Sequence, residues 1–581
     1  MKSSLIIASW LIAVSVFSGK ANDIYKKNIS PDNPYLKMSR NTLARAMHLA
    51  DEKKKKGDAF WLTWGYVAPE SKFKGNVKLK ERALFFTNAE LEKLAAKPSG
   101  YWSLIPALKT IEFWMDSKEI EDKQIKTWLQ QLRPSVESCY KGQNGASWFV
   151  IAPNVLHQAA AGLELAAHVY GRVYPDDKAL PVWREQALKC VEKSEKQQLP
   201  GGAFSYIRSS GPDPCYYNFD SNFLGIYYFL TGHEQVKQSL VKMSGWSKSA
   251  TICGWLTAFS SPWWKHIWGT GGPYFAPEII AALSKDPLTR GVMNVRLQAS
   301  QPYYFTYYAM YFYDPSVKPK AISDRCEFDE NANGAALRSG GYDVVMPFTS
   351  WCDSTCGASF ADTKKVISYI NAISIVPKLS NKADLTKSYS IVNLNKDAKR
   401  ATATGKDWIA QAVTFKPVKA TYGHQPKGGR PWKRTDIWFA DKDGFAGVIE
   451  LTCLEDTQSD GISLLARVSK AFSGANLQIA DDNFVIKADG DVSSFEHIKI
   501  NKWDYFEAKF NGSAKRKYKK GESFRIKIAV SRKGSPLLKV KSMSESKGVY
   551  SVAIEKGGSH VADLEYNSVT GKVKCTCKKG I

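Results

Sequence analysis

The spacing of the apolar residues changes partway along this chain of 581 residues. From Tyr101 onward the segments IPALKTIEFWM, IKTWLQQLRPSVESCY, NVLHQAAAGLELAAHVYG and PVWREQALKCVEKSEKQQ repeat apolar residues every three or four positions, which is the spacing of amphipathic helices. After Pro315 the segments NGAALRSGGYDVVMPF, TDIWFADKDGFAGVIELTCL, DNFVIKADGDV, YFEAKFNG, SFRIKIAV and GVYSVAIEKGG alternate apolar with polar residues between Asp-Gly, Asn-Gly and Gly-Gly turns. Many short strands with no long helix between them point to a stack of antiparallel sheets rather than a parallel α/β sheet. The chain is therefore read as α first and β second. The boundary lies near residues 315–330, in PSVKPKAISDRCEFDENANG, and Asp441–Gly444 (DKDG) is the clearest hairpin turn.

The connections within the helical half repeat a theme. Gly142–Trp148 reads GQNGASW, Pro200–Tyr206 reads PGGAFSY and Gly269–Tyr274 reads GTGGPY, so Gly-rich turns carrying aromatics recur between helix pairs. Helical hairpins joined in this way predict an (α/α) toroid, an incomplete barrel whose inner helices line a cleft. Upstream, Asn22–Lys97 is Lys-rich, and ARAMHLADEKKKK reads as an amphipathic helix ending in a solvated charge run. The predicted organisation is a signal peptide at 1–21, an N-terminal helical segment at 22–100, the toroid at 101–320 and an antiparallel β-sandwich at 321–581.

Met1-Lys2, an apolar run from Leu5 to Phe17 and the small-residue site Gly19-Lys20-Ala21 have the form of a cleavable secretory signal, so the expected location is secreted or periplasmic. No later run reaches the roughly 20 apolar residues of a membrane span. With 81 Lys and Arg against 56 Asp and Glu, the formal charge is +25. An exported basic protein meets acidic polysaccharide or anionic surfaces rather than nucleic acid. Of the ten Cys, Cys352 and Cys356 are close enough for a local disulfide loop, while CDSTC and CTC lack the paired CxxC spacing of a zinc site. No cofactor is expected. The Asp-rich turns at Asp456–Asp460 and Asp481-Asp482 leave room for a structural calcium.

Chemistry-bearing residues concentrate between Ser261 and Asp314. This stretch holds Trp263, Trp264 and Trp268, a lone His266 in a Gly/Pro-rich loop, the cations Arg290 and Arg296, and tyrosines at 303, 304, 307, 308, 311 and 313. The i, i+3, i+4, i+7 spacing of Tyr304, Tyr307, Tyr308 and Tyr311 equally describes a core-facing helix. Outside this stretch, CYYNFDSNF offers Tyr217, Asn218 and Asp220. PNVLHQAAAG sets Asn154 and His157 on one helix face, and GGRPWKRTD carries Arg434 in a basic, aromatic loop with His424 nearby. Helix capping is the competing role of Asn154 and Asn218.

Helical hairpins with Gly-aromatic loops, followed by an all-β half opening on GAALRSGGYDVV, resemble the polysaccharide lyases built as an (α/α) toroid plus an antiparallel β-sandwich. The likeness spans roughly residues 100 to 560, and no single family motif stands out. It implies β-elimination on a uronate-containing chain, in which the sugar carboxylate is neutralised, the C5 proton is removed and the leaving oxygen is protonated. The catalytic candidates are Tyr304 and Tyr303 as base or acid, His266, Asn218 for the carboxylate, Arg296 and His157. Trp263, Trp264, Trp268, Tyr217, Tyr307, Arg290 and Arg434 are the candidates for substrate binding. The competing readings are a hydrolase pairing Asp220 with Asp213 or Glu278 across the bond, and a non-catalytic glycan-binding protein.

Overall fold

The computed structural model describes residues 29–53, 57–100, 102–143, 152–205, 214–249, 251–252, 256–257, 278–297, 304–321, 323–329, 334–347, 357–361, 366–377, 399–415, 432–459, 462–469, 472–474, 476–500, 503–510 and 516–578. Its helices are α1 (Pro34–Lys53), α2 (Ala59–Val67), α3 (Val77–Ala96), α4 (Leu104–Ser117), α5 (Asp122–Gln143), α6 (Pro153–Gly171), α7 (Ala179–Glu195), α8 (Pro214–Thr231), α9 (Glu234–Ser249), α10 (Glu278–Ser284), α11 (Pro287–Leu297) and α12 (Phe305–Phe312).

The helices form two rows. In the inner row α2 packs on α4, α4 on α6, α6 on α8, and α8 on α10 and α12, while α1 touches both α12 and α2. The outer row backs it: α3 covers α2, α5 and α7 cover α6, and α9 and α11 cover α10. Sequence explains the division. Every residue of α2 from Ala59 to Tyr66 is buried, as is every residue of α6 from Pro153 to Ala167, because these helices are apolar or small on all sides. By contrast α5 buries one stripe, Ile125, Trp128, Leu129, Leu132 and Val136, and turns its charges outward. Helices α1 to α3 share one apolar cluster with the later helices, and Asn33 Nδ2 donates to the Met310 carbonyl at 2.8 Å.

The C-terminal half is layered, and every described strand pair is antiparallel. Among the described residues one sheet has the strand order 492–500, 503–510, 462–468, 366–377, 357–361, 342–347, 334–339, 325–329. A second runs 478–480, 484–490, 523–532, 444–453, 432–441, 408–415, 399–404. Trp438, Phe445, Phe484 and Phe506 belong to the core these two sheets share. A third layer adds to the expected sandwich. The sheet 538–546, 549–556, 559–567, 572–577 covers the other face of the second sheet, where Ile437, Phe439, Ala446 and Val448 meet Leu538, Tyr550 and Ile554. Strand 432–441 is thus buried on both faces, which accounts for its nearly continuous apolar run IWFA. The DKDG turn forms as expected, with Asp441 opposite Gly444, and Lys556 Nζ from the third layer reaches Asp441 Oδ2 at 2.7 Å. Ala336 and Val345 of the first sheet join the helical core.

Within the inner row, α4 buries a charged pair. Lys109 Nζ lies 2.6 Å from Glu112 Oε2 and 5.2 Å from the centre of the Tyr307 ring, and His168 Nε2 is 3.1 Å from Glu112 Oε1. Burial pushes the Glu112 carboxyl up, but the Lys109 and His168 charges outweigh it and hold the group well below the usual carboxylate range. Its contribution to stability is therefore complete above the unfolded-state value of about 4.3 and is lost as pH falls through the lowered folded-state value. Glu112→Gln leaves the buried Lys109 charge without its partner, whereas after Lys109→Met the Glu112 carboxylate keeps His168 and Arg172. Glu112→Gln is expected to lose about 3–5 kcal/mol, Lys109→Met less, and the double variant less than the sum. Urea unfolding at neutral pH measures these losses. Repeated toward acid, the same titration should show the wild-type advantage over Glu112→Gln shrinking only below the ordinary carboxylate range.

Candidate functional site

Five helices of the inner row bring their N-terminal ends together at one end of the array. Phe60, near the start of α2, lies 6.1 Å from Tyr304, which immediately precedes α12. Trp102, two residues ahead of α4, meets Phe219 of α8 edge-on at 4.9 Å, and Phe223 meets Phe305 of α12 at 5.2 Å. His157 near the start of α6 hydrogen-bonds Asp220 of α8 at 2.8 Å. Parallel helices ending together present unsatisfied N–H groups and the positive poles of their dipoles, a setting that favours a bound anion.

Most of the aromatic floor is buried, but Trp102 is 44% exposed. Amides cluster on the two neighbouring helices. Asn154 is the second residue of α6, and because Ala152 occupies the capping position it does not cap the helix. Its Oδ1 is buried with no hydrogen-bond partner, as is Nε2 of Gln158 one turn further on. Asn218 likewise sits inside α8 rather than at its cap and is fully buried, and its backbone carbonyl accepts from Asn222 Nδ2 at 2.7 Å. Buried amide atoms without a partner, such as Asn154 Oδ1 and Gln158 Nε2, are uncommon, and here they occur at the end where the helix poles gather.

His157 has a different role from the one expected. Its Nδ1 is 2.8 Å from Asp220 Oδ1 and its Nε2 is 2.8 Å from Ser194 Oγ, an arrangement shaped like a nucleophilic triad. The ring is fully buried, however, and the Ser194 hydroxyl donates to the Val191 carbonyl at 2.7 Å within α7. No substrate atom can reach a serine enclosed in this way. The three side chains tie α6, α7 and α8 together, which removes His157 from carboxylate binding and Asp220 from general acid work.

Several other expected contacts are likewise taken up by packing. Tyr304 and Tyr307 are 3% and 5% exposed, and Tyr307 is enclosed by Phe60 at 5.8 Å and Phe113 at 5.3 Å, so it offers no surface to a sugar. Burial pushes the phenols of Tyr307, Tyr308 and Tyr311 up, opposite to the cation-lowered phenol a base requires. Tyr217 donates its hydroxyl to the Met243 carbonyl at 2.7 Å and lies on Trp246. The Arg290 guanidinium is buried against Glu278, with Nη1 to Oε2 at 2.8 Å, and Tyr35 donates to the same oxygen at 2.7 Å. Arg434 is fully buried in a two-pronged pair with Asp436 at 2.6 and 2.7 Å. Neither arginine can meet substrate. Arg296 lies near the end of α11, separated from the helix carrying Tyr304 rather than on it. Tyr303, His266, Trp263, Trp264, Trp268 and His424 lie outside the described residues.

The Asp-rich turns have local occupations. Asp481 Oδ1 accepts from the backbone N–H groups of Asn483 and Phe484, and Asp456 Oδ1 accepts from Lys520 N. Among the described residues no group of three or more His, Cys, Asp or Glu is placed to hold a metal ion. Trp102, Gln158 and Asn222 were not singled out from sequence. Gln158 and Asn222 do stand four residues beyond Asn154 and Asn218, so helical spacing carried a signal.

No protein-family model matches the chain, and comparison with curated proteins finds no match. Among solved structures it is similar to a chondroitin AC lyase from Streptomyces coelicolor A3 determined with chondroitin sulphate, with a TM-score of 0.52 and 10% identity over 94% of this chain and 92% of that one. It is also similar to a heparinase III (TM-score 0.48, 10% identity, 91% and 81% covered) and to a heparan sulfate lyase mutant from Pedobacter heparinus (TM-score 0.43, 12% identity, 92% and 82% covered). These structural neighbours are polysaccharide lyases, and over nearly its whole length the chain shares its fold with the first of them.

Proposed function

We propose that this protein is an exported polysaccharide lyase that cleaves an acidic, uronate-containing polysaccharide by β-elimination. In this reading the two helix rows form an incomplete (α/α) toroid, and the cleft lies at the N-terminal end of its inner helices. The observation that carries the proposal is the gathering of five helix N-termini around buried amides, beside the exposed Trp102. The fold match to a chondroitin AC lyase over nearly the full chain supports it.

The C5 hydrogen of a uronate is too weakly acidic to remove until the neighbouring carboxylate charge is masked. Amide donors and helix N-termini in a site of low water content do this without reorganising as the transition state forms. Asn218, Asn154 and Gln158 are assigned to that carboxylate, with Gln158 Nε2 a buried donor that has no protein acceptor. Trp102 supplies a stacking face for a sugar ring. The proton-transfer groups are assigned to Tyr303 and His266, because Tyr304, Tyr307, Tyr308 and Tyr311 are enclosed in the core. Arg296 is assigned to the same region as an accessory cation.

Incubation with alginate, glucuronan, hyaluronan, chondroitin and heparin, followed by the ultraviolet absorbance of unsaturated uronate, tests the proposal. Absorbance that rises with at least one polymer is the expected result. New reducing ends without absorbance would assign a hydrolase, and binding without either would assign a glycan-binding protein. On the active polymer, Asn218→Ala is expected to lower kcat by roughly 10²- to 10³-fold, the usual loss for one donor at a developing anion. Trp102→Ala should mainly raise KM, by about 5- to 10-fold, for the loss of about 1 kcal/mol of stacking. Steady-state kinetics with circular dichroism as a folding control separates the two effects. A polymer whose carboxylates have been reduced to alcohols is expected not to be cleaved.

A further inference from the structure

Among the described residues, the strand Lys572–Cys577 is the outer strand of the third-layer sheet and pairs on one side only, with Ser559–Asn567. Cys575 stands opposite Leu564 and Cys577 opposite Ala562, so the two side chains share one face and are partly buried against the apolar cluster beneath. Their sulfurs lie 3.6 Å apart. The other described cysteines differ. Cys139 and Cys190 are buried, and burial pushes both thiols up, while Cys326 and Cys453 donate to the carbonyls of Trp408 and Glu455 at 3.0 and 2.9 Å.

We propose that Cys575 and Cys577 form a redox-active dithiol that exchanges with small-molecule disulfides. Two residues of strand span about 6.6–6.8 Å, the upper limit of Cα separation that a disulfide bridges, so a bond closes here with a modest bend of the backbone. Among the described residues this strand is hydrogen-bonded along one edge only, which leaves its backbone freer to bend than that of an inner strand. The strained product is readily reduced, which makes the pair a reversible couple rather than a permanent staple. The two thiols share one hydrogen bond, so one sulfur can ionise while the other keeps the proton.

With oxidised glutathione as reactant, one thiolate of the pair attacks one sulfur, breaks the S–S bond and expels one glutathione thiolate. The second cysteine then attacks the protein sulfur of the mixed disulfide and expels the second glutathione thiolate, and its proton passes to solvent. The protein loses two hydrogens and two glutathiones are formed. The proposal is independent of the lyase reading.

The test treats the full-length protein with oxidised glutathione, quenches with acid, alkylates free thiols and maps a protease fragment spanning Tyr566–Ile581 by mass spectrometry. The expected wild-type product is an internal Cys575–Cys577 disulfide that glutathione reverses. Cys575→Ser and Cys577→Ser should each stop at a stable mixed disulfide on the cysteine that remains. Wild type that carries glutathione on both cysteines with no internal link would overturn the proposal. So would a fragment that stays fully alkylated in wild type. Because Cys→Ser is nearly isosteric and lies on an edge strand, matching thermal melts of the variants are the folding control.

Discussion

Helices buried on every face must satisfy their polar side chains with one another, and this requirement decides which residues of the protein remain available for chemistry. Lys109 is committed to Glu112, His157 to Asp220 and Ser194, and Arg290 to Glu278 and Tyr35. Each link joins or stiffens helices of the inner row, and each withdraws from solvent a group whose type alone would fit a catalyst. Among the described residues, what remains at the helix ends includes the partnerless amide atoms of Asn154 and Gln158 and the exposed indole of Trp102.

The strand layers follow the same rule. Because the second sheet is covered on both faces, the charges within it are internal: Arg434 with Asp436, and Glu450 with Arg525 and Tyr550. A basic loop sequence therefore does not imply a basic surface. The positive setting of the proposed site comes instead from backbone geometry, since aligned N–H groups carry partial charge without any ionised side chain. An anion-binding end of this kind depends on helix direction, not on the +25 formal charge.

The divide between helix and strand was legible because periods of 3.6 and 2 leave different marks on any run of ten residues. The DKDG hairpin was legible because two-residue turns demand particular residues. The third layer was less so: strand Trp432–Asp441 is apolar on both faces, which shows that it is covered but not by what. The tyrosines of 304–311 fitted two readings equally well, and their packing against Phe60, Phe113 and Phe229 took the core reading. Asn154 and Asn218 were legible as helix-start residues, but whether they cap or stand inside the first turns depends on where the helix begins, to within two residues. Trp102 passed unnoticed because an isolated aromatic ahead of a helix has no pattern of its own.

By itself, then, the sequence determined the order of the two halves, the type of nearly every element and the resemblance to toroid-and-sandwich lyases, all of which rest on local spacing and turn chemistry. Only the tertiary structure decided which polar side chains are enclosed and which face the open end of the helices. Burial and pairing join residues such as His157 and Asp220, 63 positions apart, and no local pattern encodes that distance.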